Sequence, residues 1–161
     1  ARFSPCGRSR YTLGRRWAPG PLLGFIGMNP SVAAQAREDA TSRRFLSFAK
    51  REGCGAYEAV NLDALVATDP GELRRSAAQG MDVTGPDNDL AIERLAKRAQ
   101  AVVACWGTGG YFRPARVEDV LSLLRRASVK PVCLGLTQGG HPRHPLYVRA
   151  TKKLELLEDS P

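Results

Sequence analysis

Four short apolar runs constrain this chain more than any other feature. They cover residues 22–28, 57–62, 101–106 and 131–136, and each ends abruptly in a loop rich in Gly, Pro, Asn or His. A continuous apolar run of this length, closed by a turn signal, reads as a strand buried on both faces. The segments between them carry apolar residues at helical spacing. One follows the caps Asp39-Ala40-Thr41-Ser42, with Phe45, Leu46, Phe48 and Ala49 on one side, and stops near Gly53 or Gly55. A second follows Gly85-Pro86-Asp87-Asn88, with Leu90, Ile92, Leu95 and Ala96 as its stripe. A third covers residues 116–127 with Val117, Val120, Leu121 and Leu124. Strand alternating with helix specifies an α/β fold, with a mainly parallel sheet and helices on both faces. Smaller expectations are an edge strand at Tyr11-Thr12-Leu13, a short helix within 71–80 and a helical tail over 147–157.

In a sheet of this kind ligands bind outside the carboxyl ends of the strands, so the four polar loops are expected to converge on one rim. The length of 161 residues suits a single domain. No apolar run approaches the roughly 18 residues of a membrane span. The start, Ala1-Arg2-Phe3-Ser4-Pro5, has no secretory apolar segment, so a cytoplasmic location is the default expectation. A monomer is expected as well. Cys6, Cys54, Cys105 and Cys133 form no Cys-x-x-Cys pair, which argues against metal or cluster ligation. Cys105 and Cys133 fall in apolar runs and read as buried thiols.

Charge bears on the partner. The net charge is +8, and 19 of the 24 basic residues are arginine. The guanidinium fork fits phosphate bidentately, so an Arg-heavy basic chain points to a phosphate-bearing partner; the competing reading is a solvated surface.

Each loop has its own chemistry. In Gly27-Met28-Asn29-Pro30-Ser31, Pro30 holds Asn29 extended, so its amide can project from the strand end and orient a water, although it cannot take a proton. Asn61 places a paired donor and acceptor at the next strand end, a match for a pyrimidine edge; a structural Asn bonded to a neighbouring loop is the alternative. Gly107-Thr108-Gly109-Gly110 offers backbone amides without the Lys of a P-loop, which favours a plain strand-to-helix turn. The last loop holds both histidines, His141 and His144, stiffened by Pro142 and Pro145. A histidine so placed can stabilise a developing anion by hydrogen bonding. No third ligand accompanies the pair, so no metal is expected. Arg43 and Arg44 are candidates for phosphate contact, and Phe45 for a stacking face.

These segments together resemble the family known as domain of unknown function 1643. The likeness is carried by residues 27–31, Asp39-Ala40-Thr41-Ser42-Arg43-Arg44, Val60-Asn61-Leu62 with Ala67-Thr68-Asp69-Pro70, Gly85-Pro86-Asp87-Asn88, and Pro142-Arg143-His144-Pro145-Leu146-Tyr147. The family name gives no activity. The order of motifs is also similar to that of the uracil-DNA glycosylase superfamily. Asn29 with Pro30 looks like its first motif, Arg44-Phe45 like a segment of the mismatch-specific branch, Asn61 like the strand-borne Asn that reads uracil, residues 102–107 like the apolar strand before a Gly turn, and His144-Pro145-Leu146 like its second motif. Leu146-Tyr147 replaces the Ser-Pro of that motif, so the usual minor-groove wedge is not implied. The cysteine pattern of the iron–sulfur branches is absent, and no cofactor is implied.

The likeness implies a three-layer α/β/α fold with a mainly parallel four-stranded sheet, acting on nucleic acid, DNA foremost. In that reading a base is flipped out and its N-glycosidic bond hydrolysed. Asn29 and His144 are catalytic, Met28, Phe45 and Asn61 hold the base, and Ser31, Arg43, Arg44 and Arg143 hold phosphates. Two rivals stay open: a base-hypermodification or nucleotide-processing enzyme using the same pocket, and a non-catalytic binder of modified nucleic acid.

Overall fold

The structure is a computed structural model that describes residues 1–31, 39–67 and 69–158. Thr68, in the loop after the second apolar run, lies outside them. In chain order the elements are β1 (Arg2–Phe3), β2 (Arg10–Arg16), β3 (Leu22–Gly27), α1 (Ala40–Arg51), β4 (Ala56–Asn61), α2 (Pro70–Ala78), α3 (Asn88–Arg98), β5 (Ala101–Ala104), α4 (Pro114–Arg126), β6 (Val132–Cys133) and β7 (Glu155–Leu156). Two 3₁₀ turns, Gly107–Phe112 and Pro145–Tyr147, follow β5 and β6.

The strands form one sheet in the order β1-β2-β4-β3-β5-β6-β7. The four apolar runs are its centre: β4, β3, β5 and β6 pair in parallel. The sheet is nevertheless mixed and seven-stranded, not four-stranded. Antiparallel β1 and β2 extend it at one end and antiparallel β7 at the other. The sequence hides these additions for a physical reason. β1 and β7 are two residues long, too short for a period, and β2 ends in exposed Gly14-Arg15-Arg16.

Two cores lie on the two faces. On one, Phe45, Phe48 and Ala49 of α1 pack on Leu23, Phe25, Tyr57 and Val103. On the other, Ile92 and Leu95 of α3 and Val120, Leu123 and Leu124 of α4 pack on Ile26, Val60, Val102 and Ala104. Alternation along β3 explains the split, because Leu23 and Phe25 face one layer and Ile26 the other. Asp39 caps α1 by accepting from the Ser42 backbone N–H at 2.7 Å. In α3 the buried stripe is Ala91, Ile92, Leu95 and Ala96; Leu90 is exposed, and Ala91 takes the inward position.

The tail is the largest correction. Residues 148–154 are not helical. They run along the α1 face and end in β7, which pairs with the otherwise open edge of β6. Carbonyls there serve α1. Arg44 Nε donates to Pro145 O at 3.0 Å and its Nη2 to Val148 O, while Arg51 Nη1 donates to Ala150 O and Lys152 O, each at 2.7 Å. A helix would have engaged those carbonyls itself.

Cys105 and Cys133 are buried free thiols, and burial pushes the Cys105 thiol far up. No helix among the described residues is long and apolar enough to cross a membrane.

Candidate functional site

The crossover from β3 runs through α1 on one face, and the chain leaves β5 for α4 on the other. Adjacent parallel strands whose connections diverge open a crevice between their carboxyl ends. A cavity of about 420 Å³ occupies that place, lined from all four post-strand loops by Met28, Asn29, Asn61, Trp106 and His144 among others. Its size is in the range of small-molecule sites.

Asn61 ends β4 directly beside Gly27 of β3. A Cβ at Gly27 would stand 2.7 Å from Asn61 Oδ1, so only glycine leaves that side chain its place. The backbone beneath it is fixed from behind. Asn88, fully buried, donates through Nδ2 to Asn61 O at 3.0 Å and Leu62 O at 2.9 Å, and Arg116 Nε donates to Leu62 O at 2.7 Å. Asn61 lines the cavity, and among the described residues no hydrogen bond engages its side-chain amide, which leaves one donor group and one acceptor unpaired there.

Asn29 is oriented differently. Its Nδ2 donates to Ala67 O at 3.1 Å and to Pro30 O at 3.2 Å, which leaves Oδ1 as the free group, an acceptor.

His144 is half-buried on the opposite wall, and Gly107, at φ +64°, makes room for it with a Cβ position 3.4 Å from His144 Cβ. Its Nδ1 accepts from the Leu146 backbone N–H at 3.3 Å. An accepting Nδ1 puts the proton of the neutral ring on Nε2. Burial holds the imidazole pKa below its ordinary 6.5, offset in part by the charge of Asp39. His141 lies apart from the cavity, with its ring 5.3 Å from that of Tyr111.

Phe45 and Met28 both reach the cavity. Phe45 is only 6% exposed and stacks on Phe25 at a centroid distance of 4.3 Å, so it serves the core first and shows the pocket little of its surface.

Two residues outside the sequence-derived set complete the site. Asp39, besides capping α1, borders the cavity and accepts from Ser31 Oγ at 3.3 Å. Arg10, 5% exposed on β2, borders it too, and its Nη1 donates to Ser31 O at 3.3 Å. Ser31 therefore bridges the carboxylate and the guanidinium. Arg10 escapes a sequence reading because it sits in a basic stretch. Strand alternation puts it on the face opposite the buried Tyr11 and does not mark it out from its basic neighbours.

The other arginines divide. Arg143 borders the cavity, with Nε on Leu136 O at 2.9 Å. Arg44 is committed to the tail carbonyls, and Arg43 is exposed on α1; neither borders the cavity. Asp63 is fully buried and bidentately paired with Arg113, a structural pair. Among the described residues no group of three or more His, Cys, Asp or Glu side chains could hold a metal ion.

The family model described as Protein of unknown function (DUF1643) matches residues 10–146. The chain belongs to DUF1643. In this DUF1643 chain the matched span begins at Arg10 and includes every residue placed on the cavity above; Tyr147, which also lines it, stands one position beyond the match. No curated protein matches the chain, and no solved structure does.

Proposed function

We propose that the cavity recognises a pyrimidine-type base and hydrolyses its N-glycosidic bond. The observation that carries this reading is the meeting, in one small pocket, of an unpartnered amide (Asn61), an oriented imidazole N–H (His144 Nε2) and a carboxylate (Asp39). The amide offers the donor–acceptor pair that a pyrimidine edge presents in return. The resemblance of the motif order to that of uracil-DNA glycosylases is in keeping with this reading.

In this reading water attacks the anomeric carbon while the bond to the base nitrogen breaks and its electron pair leaves with the base. Asp39 takes the proton that the water loses, which an amide cannot do. Asn29 Oδ1 holds the water by accepting its other hydrogen. His144 donates from Nε2 to the oxygen on which the departing base gathers charge, a stabilisation realised mainly in the transition state. The base leaves as an anion and is reprotonated from solvent.

The test is product analysis with the full chain. Single- and double-stranded oligonucleotides carrying uracil or modified pyrimidines, together with the corresponding free nucleotides, are incubated with the protein and assayed for released base and abasic product. Released base that disappears in His144→Ala supports glycosidic hydrolysis. An altered base still attached to its sugar assigns the pocket to base modification, and binding without any product assigns it to recognition alone.

A further inference from the structure

We propose that Arg10 is an anion-binding group inside the pocket and that it holds the phosphate of the ligand, which, on the base-recognition reading above, makes that ligand a nucleotide taken in with its own phosphate. Arg10 differs from the other arginines drawn into the interior. Arg113 is paired bidentately with Asp63, and Arg116, 6% exposed, reaches Leu62 O and Asp89 Oδ1, the latter at 2.7 Å. Arg10 is as deeply buried, yet of its five N–H donors the described residues engage one, through a 3.3 Å bond to the neutral carbonyl of Ser31. Asp39 does not complete it. The two form no ion pair, and the carboxylate oxygens are engaged by the Ser42 N–H and the Ser31 hydroxyl. Burial accordingly depresses the Arg10 pKa, and the Asp39 charge offsets this only in part.

A buried guanidinium with open donors, beside a cavity, is built for a planar or tetrahedral oxyanion bound bidentately. Its depth matters. Arg143 lies exposed at the mouth and could meet any passing strand, whereas Arg10 is reached only by a group that enters the cavity with the base. A terminal monoester and a strand phosphodiester share this chemistry.

Calorimetric titration of the full chain with deoxyuridine 5′-monophosphate, deoxyuridine, inorganic phosphate and a single-stranded oligonucleotide bearing one internal deoxyuridine tests the assignment. The monophosphate is expected to bind about 10- to 100-fold more tightly than the nucleoside, the range of a charge-assisted hydrogen-bonded contact. Arg10→Gln is expected to erase that difference, and Arg10→Lys to restore part of it. Equal affinities in the unmodified protein, or an undiminished difference in Arg10→Gln, overturn the proposal. An Arg10-dependent gain for the oligonucleotide assigns the contact to a phosphodiester, and a gain confined to the monophosphate assigns it to a free nucleotide. Inorganic phosphate that binds and is lost in Arg10→Gln, with no binding of deoxyuridine, sustains the Arg10 site while removing the base reading. Melting without ligand separates a structural role: Arg10→Gln and Arg10→Met are expected to melt no lower than the unmodified protein, since each removes an incompletely paired buried charge. A large drop in both variants makes Arg10 structural and overturns the proposal.

Discussion

The Leu146 backbone N–H donates to His144 Nδ1 at 3.3 Å, and so selects the tautomer that carries its proton on Nε2. Burial acts in the same direction by holding the ring neutral. A neutral ring keeps Nδ1 as an acceptor; protonation would turn both nitrogens into donors and break the bond to Leu146. Because the folded-state pKa lies below the unfolded value of 6.5, the folded protein takes up this proton later than the unfolded chain does. The His144 contribution to stability is therefore complete above pH 6.5 and is lost as the pH falls through the folded value. Melting temperature measured against pH should show an acid decline that is shallower in His144→Ala. An identical decline in the variant would assign the acid limb to other groups.

Base release should distinguish His144 from Asn61. His144→Ala removes a donor that matters in the transition state, so the chemical step should slow by about 100-fold or more while substrate affinity changes little. Asn61→Ala should leave the step faster than that but flatten the preference between uracil and competing bases, because an empty edge no longer rejects a mismatch. Single-turnover kinetics on paired substrates read both effects. Equal losses of rate and affinity in His144→Ala would assign that residue to binding.

Gly27→Ala tests how Asn61 is held. The added methyl would stand 2.7 Å from Asn61 Oδ1, so the amide must turn away or the β3–β4 pair must part. A rotated amide predicts loss of base discrimination like that of Asn61→Ala, with a stability cost of about 1–3 kcal/mol for overpacking. A variant that discriminates normally would show that the amide does not need its present orientation.

The parallel centre of the sheet is legible in the sequence because strands buried on both faces must be apolar throughout, and the helices between them must show an apolar stripe. The convergence of Asn29, Asn61 and His144 follows from the same pattern, since all three sit just beyond strand ends that a parallel sheet brings to one rim. Arg10 is illegible for the opposite reason. Nothing local separates it from Arg8, Arg15 and Arg16, and the chain it meets is remote in sequence: its backbone N–H donates to Ala64 O at 2.8 Å and its Nη1 to Ser31 O. Asp39 announces itself as a helix cap, which it is, and its place on the cavity depends on where the cap sits relative to β3. The tail misleads because its apolar spacing suits a helix, while the carbonyls that Arg44 and Arg51 engage and the open edge of β6 reward an extended chain. Arg44 illustrates the limit well: a motif arginine reads as a phosphate ligand until the carbonyls it serves, about 100 residues along the chain, are in view.

The support beneath the site should be measurable as stability. Asp63 follows Asn61 closely, is fully buried, and accepts from Arg113 through both oxygens at 2.9 and 3.0 Å and from Thr84 Oγ1 at 2.9 Å. Its backbone N–H also donates to Met28 O at 3.0 Å, tying the loop after β4 to the loop after β3. Arg113→Ala leaves the carboxylate buried without its cation and should cost about 3 kcal/mol, the low end of the range for breaking a buried pair, since the guanidinium itself is partly exposed. Asp63→Asn combined with Arg113→Ala removes both charges and should recover much of that loss. A double-mutant cycle by urea denaturation gives the coupling energy. A coupling near zero would mean that the β4 loop is held by Asn88, Arg116 and its backbone bonds to the β3 loop without help from this pair. A large one, accompanied by weaker discrimination in Arg113→Ala, would place this pair among the residues that position Asn61.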